Sequence, residues 1–138
     1  MLEAGLGFAV KTDKPAFIGR DAVLRRRDDG LRRRLVQFRL TNPEPLLYHN
    51  EPVLRDGVVV GHLTSGGYGH TFGAALGMAY VPCAGESAQD VLSSRYEIDV
   101  MGRRVAAEAS LKPFYDPNGH RTKAASTPQE SVVVGRGA

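Results

Sequence analysis

From Leu35 the chain alternates: Val36, Phe38 and Leu40 fall on one side, Gln37 and Arg39 on the other, the period-two pattern of a strand half buried on one face. Asn42-Pro43-Glu44-Pro45 then forces a loop. A second strand begins at Glu51-Pro52-Val53-Leu54-Arg55. Asp56-Gly57 separates it from Val58, the two-residue signal of a hairpin whose turn needs positive φ. Val58 to Thr64 is the returning strand. Ala74 to Val81 carries Leu76, Met78 and Tyr80 on one side and suits a strand or a short helix by pattern alone. Arg95 to Val100 alternates cleanly and bends at Met101-Gly102. Arg103 to Lys112 returns with Val105, Ala107, Ala109 and Leu111 on one face, and Pro113 stops it. About five or six strands with turns between them predict an antiparallel barrel or sandwich.

The ends of the chain read differently. Leu6 to Lys11 is expected as a short strand, closed by the turn-rich Thr12-Asp13-Lys14-Pro15. Gly19 to Asp29 is expected as the single helix, with Asp21 in its first turn, Ala22, Val23 and Leu24 as apolar surface and Gly30 as its stop. From His120 onward the chain has neither periodicity nor enough apolar content to offset the entropy of ordering, so a flexible tail is predicted there. Within it, Val132-Val133-Val134 is a short segment able to pair with a strand edge.

A chain of 138 residues with 42% hydrophobic and 24% charged content is one globular domain in size and composition. No run approaches the roughly 20 apolar residues of a membrane span, which argues against a membrane role. The first residues lack the basic start and apolar core of a secretory signal, which favours a cytoplasmic setting. Cys83 is the only cysteine, so an internal disulfide is impossible. Charge is uneven: residues 1–40 hold ten Lys or Arg against five Asp or Glu, and the remainder holds eight against ten. The surplus lies in Arg25-Arg26-Arg27 and Arg32-Arg33-Arg34, which would suit an anionic partner. Nucleic acid is disfavoured, because aspartates intersperse the runs and no aromatic residue is placed for base stacking.

The stretch Ser65-Gly66-Gly67-Tyr68-Gly69-His70-Thr71-Phe72-Gly73 invites comparison with phosphate-cradling loops. Its spacing fails the dinucleotide pattern: with Gly67 and Gly69 as the first two glycines, the third position is Phe72. A bend between strands is the better reading. His49, His62, His70 and His120 form no compact ligand set, so no metal site is expected. Asp56 belongs to its turn. Ser65 lacks the setting of a hydrolase nucleophile, and no catalytic residue is assigned.

Four segments occur in one order: Leu2-Glu3-Ala4-Gly5-Leu6-Gly7-Phe8-Ala9-Val10-Lys11, Asp13-Lys14-Pro15-Ala16-Phe17-Ile18-Gly19-Arg20-Asp21-Ala22, Gly57-Val58-Val59-Val60-Gly61-His62-Leu63-Thr64-Ser65-Gly66-Gly67-Tyr68 and Leu76-Gly77-Met78-Ala79-Tyr80-Val81-Pro82. Over about residues 2 to 115 the chain resembles the C-terminal part of the aminomethyltransferase family, which includes the glycine cleavage T-protein. In detail it is similar to the folate-binding half of flavin-dependent sarcosine and dimethylglycine dehydrogenases. The resemblance implies a mainly β fold, a six-stranded Greek-key barrel preceded by a short strand and one helix, and it makes Ala74 to Val81 a strand. It divides the chain into 1–30, the end of an upstream folate-binding region, 31–117, the barrel, and 118–138, the tail.

Relatives bind tetrahydrofolate among three domains and transfer a one-carbon unit from an amine, and in the dehydrogenase branch a separate domain carries FAD. The resemblance places the catalytic aspartate and most folate contacts upstream, so the chain is expected to be a domain of a longer protein or a truncated product, inactive alone. It implies that Phe8 lies against folate, and that Tyr68 and His70 stand at the channel rim. Some relatives carry a basic residue after the Pro-Phe-aromatic near the chain end. Here Asp116 follows Pro113-Phe114-Tyr115. The expected partners are the upstream domains, with self-association through the severed faces when these are lacking. A rival expectation is a free-standing module whose arginine-rich helix docks on an anionic partner such as RNA.

Overall fold

The alternation after Gly30 becomes strand β1, Arg33–Leu40, with Val36, Phe38 and Leu40 buried. The computed structural model describes residues 1–123. Before β1 stands helix α1, Arg20–Asp28, stopped at Gly30, whose φ of 79° is the left-handed value that glycine adopts freely. The hairpin at Asp56-Gly57 joins β2, Pro52–Arg55, to β3, Val58–His62, with φ of 51° and 85° at the two turn residues. The Asp56 carboxylate accepts the backbone N–H of Arg95 at 2.9 Å, tying this turn to the residue that leads into the strand paired with β2. β6, Tyr96–Val100, and β7, Arg103–Ser110, form the second hairpin that alternation predicts.

Two further strands complete the sheet: β4, Ser65–Gly69, and β5, Ala74–Pro82. All pairs are antiparallel, in the order β3-β2-β6-β7-β1-β5-β4. The fold is therefore mainly β, as expected, but with seven strands rather than six. The difference lies at Leu63-Thr64. Leu63 still donates its N–H to the Glu51 carbonyl, beside β2, at 2.9 Å; Thr64 donates to Met78 on β5 at 2.7 Å. In two residues the chain passes from one edge of the sheet to the other, so the sheet curls and β3 faces β5. A β-carbon added to Gly61 would lie 3.1 Å from the Tyr80 carbonyl oxygen.

One core fills the curl. Phe38 and Tyr96 pack ring against ring at 5.1 Å, among Val36, Leu47, Val53, Leu63 and Ile98. β5 departs from a simple amphipathic strand: Ala75, Gly77, Ala79 and Val81 are the buried set, while Leu76, Met78 and Tyr80 lie on the other face. Small residues inside let β5 approach Leu63 and Leu47, and the larger apolar side chains are left outside.

Three sequence expectations need correction. Leu6 to Lys11 is not a strand: Gly7–Ala9 is a single 3-10 turn, because the segment finds no strand partner and instead folds back locally, the Leu6 N–H donating to the Met1 carbonyl, the Ala9 N–H to the Leu6 carbonyl and the Val10 N–H to the Gly7 carbonyl. A second helix, α2, Ala88–Ser93, went unforeseen. It opens with a capping box in which the Ser87 hydroxyl accepts from the Asp90 N–H and the Asp90 carboxylate accepts from the Ser87 N–H. The glycine-rich stretch is not only a bend, since Ser65 to Gly69 is itself β4.

Arg55 clamps α2 to the sheet. Its guanidinium donates to the Ser94 hydroxyl at 2.7 Å, to Glu86 at 2.7 Å and to the Asp90 carbonyl at 3.3 Å. After β7 the chain turns at Asp116, whose carboxylate accepts the N–H groups of His120 and Arg121 and opens the short helix α3, His120–Lys123. The rest of the expected tail, with Val132-Val133-Val134, lies outside the described residues. Among the described residues no helix is long and apolar enough to cross a membrane.

Candidate functional site

The β4–β5 hairpin shapes a shallow hollow of about 330 Å³ on the outer face of the sheet. Gln37, Ser65, Gly67, Tyr68, Leu76 and Met78 line it. Its floor is glycine because the backbone of residues 47 and 48 passes directly behind β4. A β-carbon on Gly66 would meet the Leu47 carbonyl carbon at 2.7 Å. On Gly69 it would meet the Leu76 side chain at 2.9 Å. At Gly67 an added β-carbon would meet nothing within 4 Å, so the hollow is open there to a flat group.

Tyr68 is 39% exposed at the edge of the hollow, and its ring meets that of His70 edge-on at 5.2 Å. These two expected residues are thus neighbours. Beyond the turn, Phe72 packs against Phe114 at 6.3 Å and Tyr115 at 6.4 Å, and the Arg39 guanidinium lies over both phenylalanine rings. This pins the segment after β7 against the hairpin. Asp116, where some relatives are basic, is taken up by the α3 turn.

Phe8 sits elsewhere. It is 85% exposed on its 3-10 turn. The preceding segment is anchored at the start of β1, where the Leu35 N–H donates to the Glu3 carbonyl at 2.8 Å and Arg33 pairs with the Glu3 carboxylate at 2.9 Å. The Arg33 guanidinium holds the Glu3 carboxyl below its ordinary range. Tyr68 pairs with Ala75, next to Leu76, which lies opposite Arg39 at the far end of β1. The register therefore separates the Phe8 anchor from Tyr68 by about six strand positions, roughly 20 Å. Phe17 and Ile18 line a second cleft of about 510 Å³ together with Ala9, Val10, Lys11 and Lys14, and Ile18 is fully exposed.

The hollow offers shape and apolar surface rather than acid–base machinery. Ser65 and Tyr68 carry the hydroxyls of the hollow, and no base is hydrogen-bonded to either among the described residues. Cys83 is buried, and burial pushes its thiol up despite the nearby Arg34. Among the described residues no three His, Cys, Asp or Glu side chains gather as a metal would require. Sequence reasoning missed Gln37, Leu76 and Met78 as lining residues. Gln37 and Met78 stand directly opposite each other in the β1–β5 pairing. Their alternation was visible, but the register that brings them together was not.

Residues 33–116 match the profile of the glycine cleavage T-protein C-terminal barrel domain. The chain belongs to this family. As a T-protein-type barrel it is 42% identical over 121 residues to a 4-methylaminobutanoate oxidase (formaldehyde-forming) of Paenarthrobacter nicotinovorans, covering 87% of this chain and 14% of that protein. It is 38% identical over 126 residues to the mitochondrial sarcosine dehydrogenase of Homo sapiens, again covering 14% of the relative and 88% of this chain. An aminomethyltransferase of Exiguobacterium sibiricum is 34% identical over 114 residues, 83% of this barrel chain and 30% of the relative. The glycine cleavage system aminomethyltransferase T of Bartonella henselae superposes with a TM-score of 0.63 at 26% identity, over 76% of this chain and 29% of that structure. The chain thus spans less than a third of the length of each of these relatives.

Proposed function

We propose that this barrel is the C-terminal domain of a tetrahydrofolate-dependent methylamine dehydrogenase of the sarcosine and dimethylglycine type. In that parent, upstream domains carry FAD and most of the folate channel, and the barrel supplies part of the channel wall without a catalytic residue. The curled sheet serves there as a six-stranded Greek-key barrel, with β3 and β4 acting as one bent strand. Phe8 stacks on the folate near one end of β1, and Tyr68 and His70 form the rim near the other.

The observation that carries this reading is the outward apolar stripe of the β4–β5 hairpin. Leu76 and Met78 face away from a core that is already complete, and Tyr68 stands beside them at the sheet edge. A sheet face with large apolar residues outside and alanines inside fits one that packs against another surface. Identity to a 4-methylaminobutanoate oxidase and a sarcosine dehydrogenase over nearly the whole chain supports the choice of parent. Without upstream domains, the same stripe drives self-association.

The test replaces the matching C-terminal segment of the human sarcosine dehydrogenase with this chain. The chimera is expected to oxidise sarcosine and pass the one-carbon unit to tetrahydrofolate, while the isolated chain does neither. A chimera that oxidises sarcosine but yields only free formaldehyde, as the enzyme lacking the segment would, overturns the folate role. A second reading, an RNA-binding module, draws on the exposed Arg25 and Arg26 of α1, a helix with no aromatic side chain for stacking. Salt-sensitive RNA binding by the isolated chain would favour it.

A further inference from the structure

The two arginine runs are used by neither the hollow nor the apolar stripe, yet the fold brings one member of each to the same place. Gly30 turns the chain from α1 into β1, and between them opens a cleft of about 420 Å³ bounded by Arg27, Gly30, Leu31, Arg34, Cys83 and Glu86. Arg34 shares the parity of Val36, Phe38 and Leu40, so it leaves β1 on the core side, at the open end of the sheet. Its Nε is buried there and has no acceptor. Such an unmet N–H is destabilising, and native structures rarely keep one without a reason.

The interaction of Arg34 with the Cys83 thiol does not neutralise it. Arg34 makes no ion pair among the described residues, whereas Arg33 beside it is paired with Glu3. Glu86, the carboxylate at the cleft, is bonded to Arg55 at 2.7 Å. Arg27 engages Asp28 through Nε at 3.1 Å, which leaves its terminal nitrogens free to turn toward the cleft. Cys83, on the cleft wall, is a protonated thiol and adds no negative charge.

We propose that this cleft binds an oxyanion, a carboxylate or phosphate group of a small ligand, held between the guanidinium groups of Arg34 and Arg27. Each guanidinium presents a planar fork of donors that matches two oxygens of such a group. The terminal nitrogens of Arg34, on the cleft wall, hold the group, and Arg27 closes the mouth from α1. The site stands apart from the β4–β5 hollow and does not depend on the folate reading.

The full chain, labelled with nitrogen-15, is titrated with inorganic phosphate and separately with glutarate, with sodium chloride holding ionic strength constant. The expected result is a saturable shift of the Gly30 and Gly85 amides with at least one probe. Response to phosphate alone or to glutarate alone identifies which oxyanion the cleft takes. Arg27→Gln and Arg34→Gln are each expected to weaken binding about tenfold or more, and Arg104→Gln on β7 to leave it unchanged. If Arg34→Gln does not fold, Arg27→Gln decides, since Arg27 is exposed. Shifts that fail to saturate with either probe, or saturation unaltered by Arg27→Gln, overturn the proposal.

Discussion

Gly66 lies so close to Leu47 that a β-carbon on it would stand 2.7 Å from the Leu47 carbonyl carbon, with the Tyr48 nitrogen and oxygen at 2.8 Å. Backbone cannot yield as a flexible side chain can. Gly66→Ala is therefore expected to destabilise the chain by about 1–3 kcal/mol through overpacking. Gly67→Ala, where an added β-carbon meets nothing within 4 Å, is expected to change stability by less than about 0.5 kcal/mol. Urea unfolding of the two variants separates a close approach from a general need for glycine.

Phe38 joins β1 to β6 through its contact with the Tyr96 ring. It is wholly buried, so Phe38→Ala should cost about 3–5 kcal/mol, from lost transfer energy and the cavity left behind. Calorimetry should show a large fall in Tm; a loss below about 1 kcal/mol would mean that the curl closes over the gap.

The capping box of α2 makes stability depend on acid. The Ser87 hydroxyl and backbone N–H hold the Asp90 carboxyl below its ordinary 3.8, so the folded state binds this proton less readily than the unfolded one. That contribution is complete above the ordinary value and is lost as pH falls through the folded value. Asp90→Asn is expected to lower Tm at neutral pH, and its Tm curve should converge on that of the parent chain in strong acid, where both side chains are uncharged, whereas Ser87→Ala, which removes the bond from the Asp90 N–H, is expected to cost about 1 kcal/mol at any pH. Parallel curves for Asp90→Asn and the parent chain down to low pH would show that the carboxylate does not carry the effect.

In the sarcosine dehydrogenase chimera, Tyr68→Ala should weaken reduced-folate binding by about three- to tenfold, the loss of one aromatic contact. Tyr68→Phe should retain most of the affinity, because the ring meets His70 edge-on while no hydroxyl bond is made among the described residues. Fluorescence titration of the chimera measures both. Equal affinity in all three forms would remove Tyr68 from the channel rim.

Alternation made β1, β6 and β7 legible, and Asp56-Gly57 marked the β2–β3 hairpin, because these features depend on neighbours in the sequence. β4 was hidden. Its glycines answer to the backbone at Leu47 and Tyr48, a contact set by the curl of the sheet rather than by any local pattern. The Phe8 segment failed for the opposite reason: Leu6, Phe8 and Val10 alternate like a strand, but no strand lies beside them to supply hydrogen bonds. α2 left a readable signal in Ser87 and Asp90, three residues apart ahead of Val91 and Leu92. At the hollow, Tyr68 and His70 were legible as neighbours, whereas Gln37 and Met78 required the register of β1 on β5.

The passage at Leu63-Thr64 makes one short segment the seam of the molecule. A cut in the Asp56-Gly57 or Met101-Gly102 turn leaves the hairpin strands paired with each other, and β2, β6 and β7 each paired with a further neighbour as well. A cut between Leu63 and Thr64 instead frees both margins of the sheet together, and unpaired margins recruit strands from other molecules. New chain ends made by circular permutation are accordingly better placed at either turn, where the protein would stay dispersed, than at the seam, where it would polymerise.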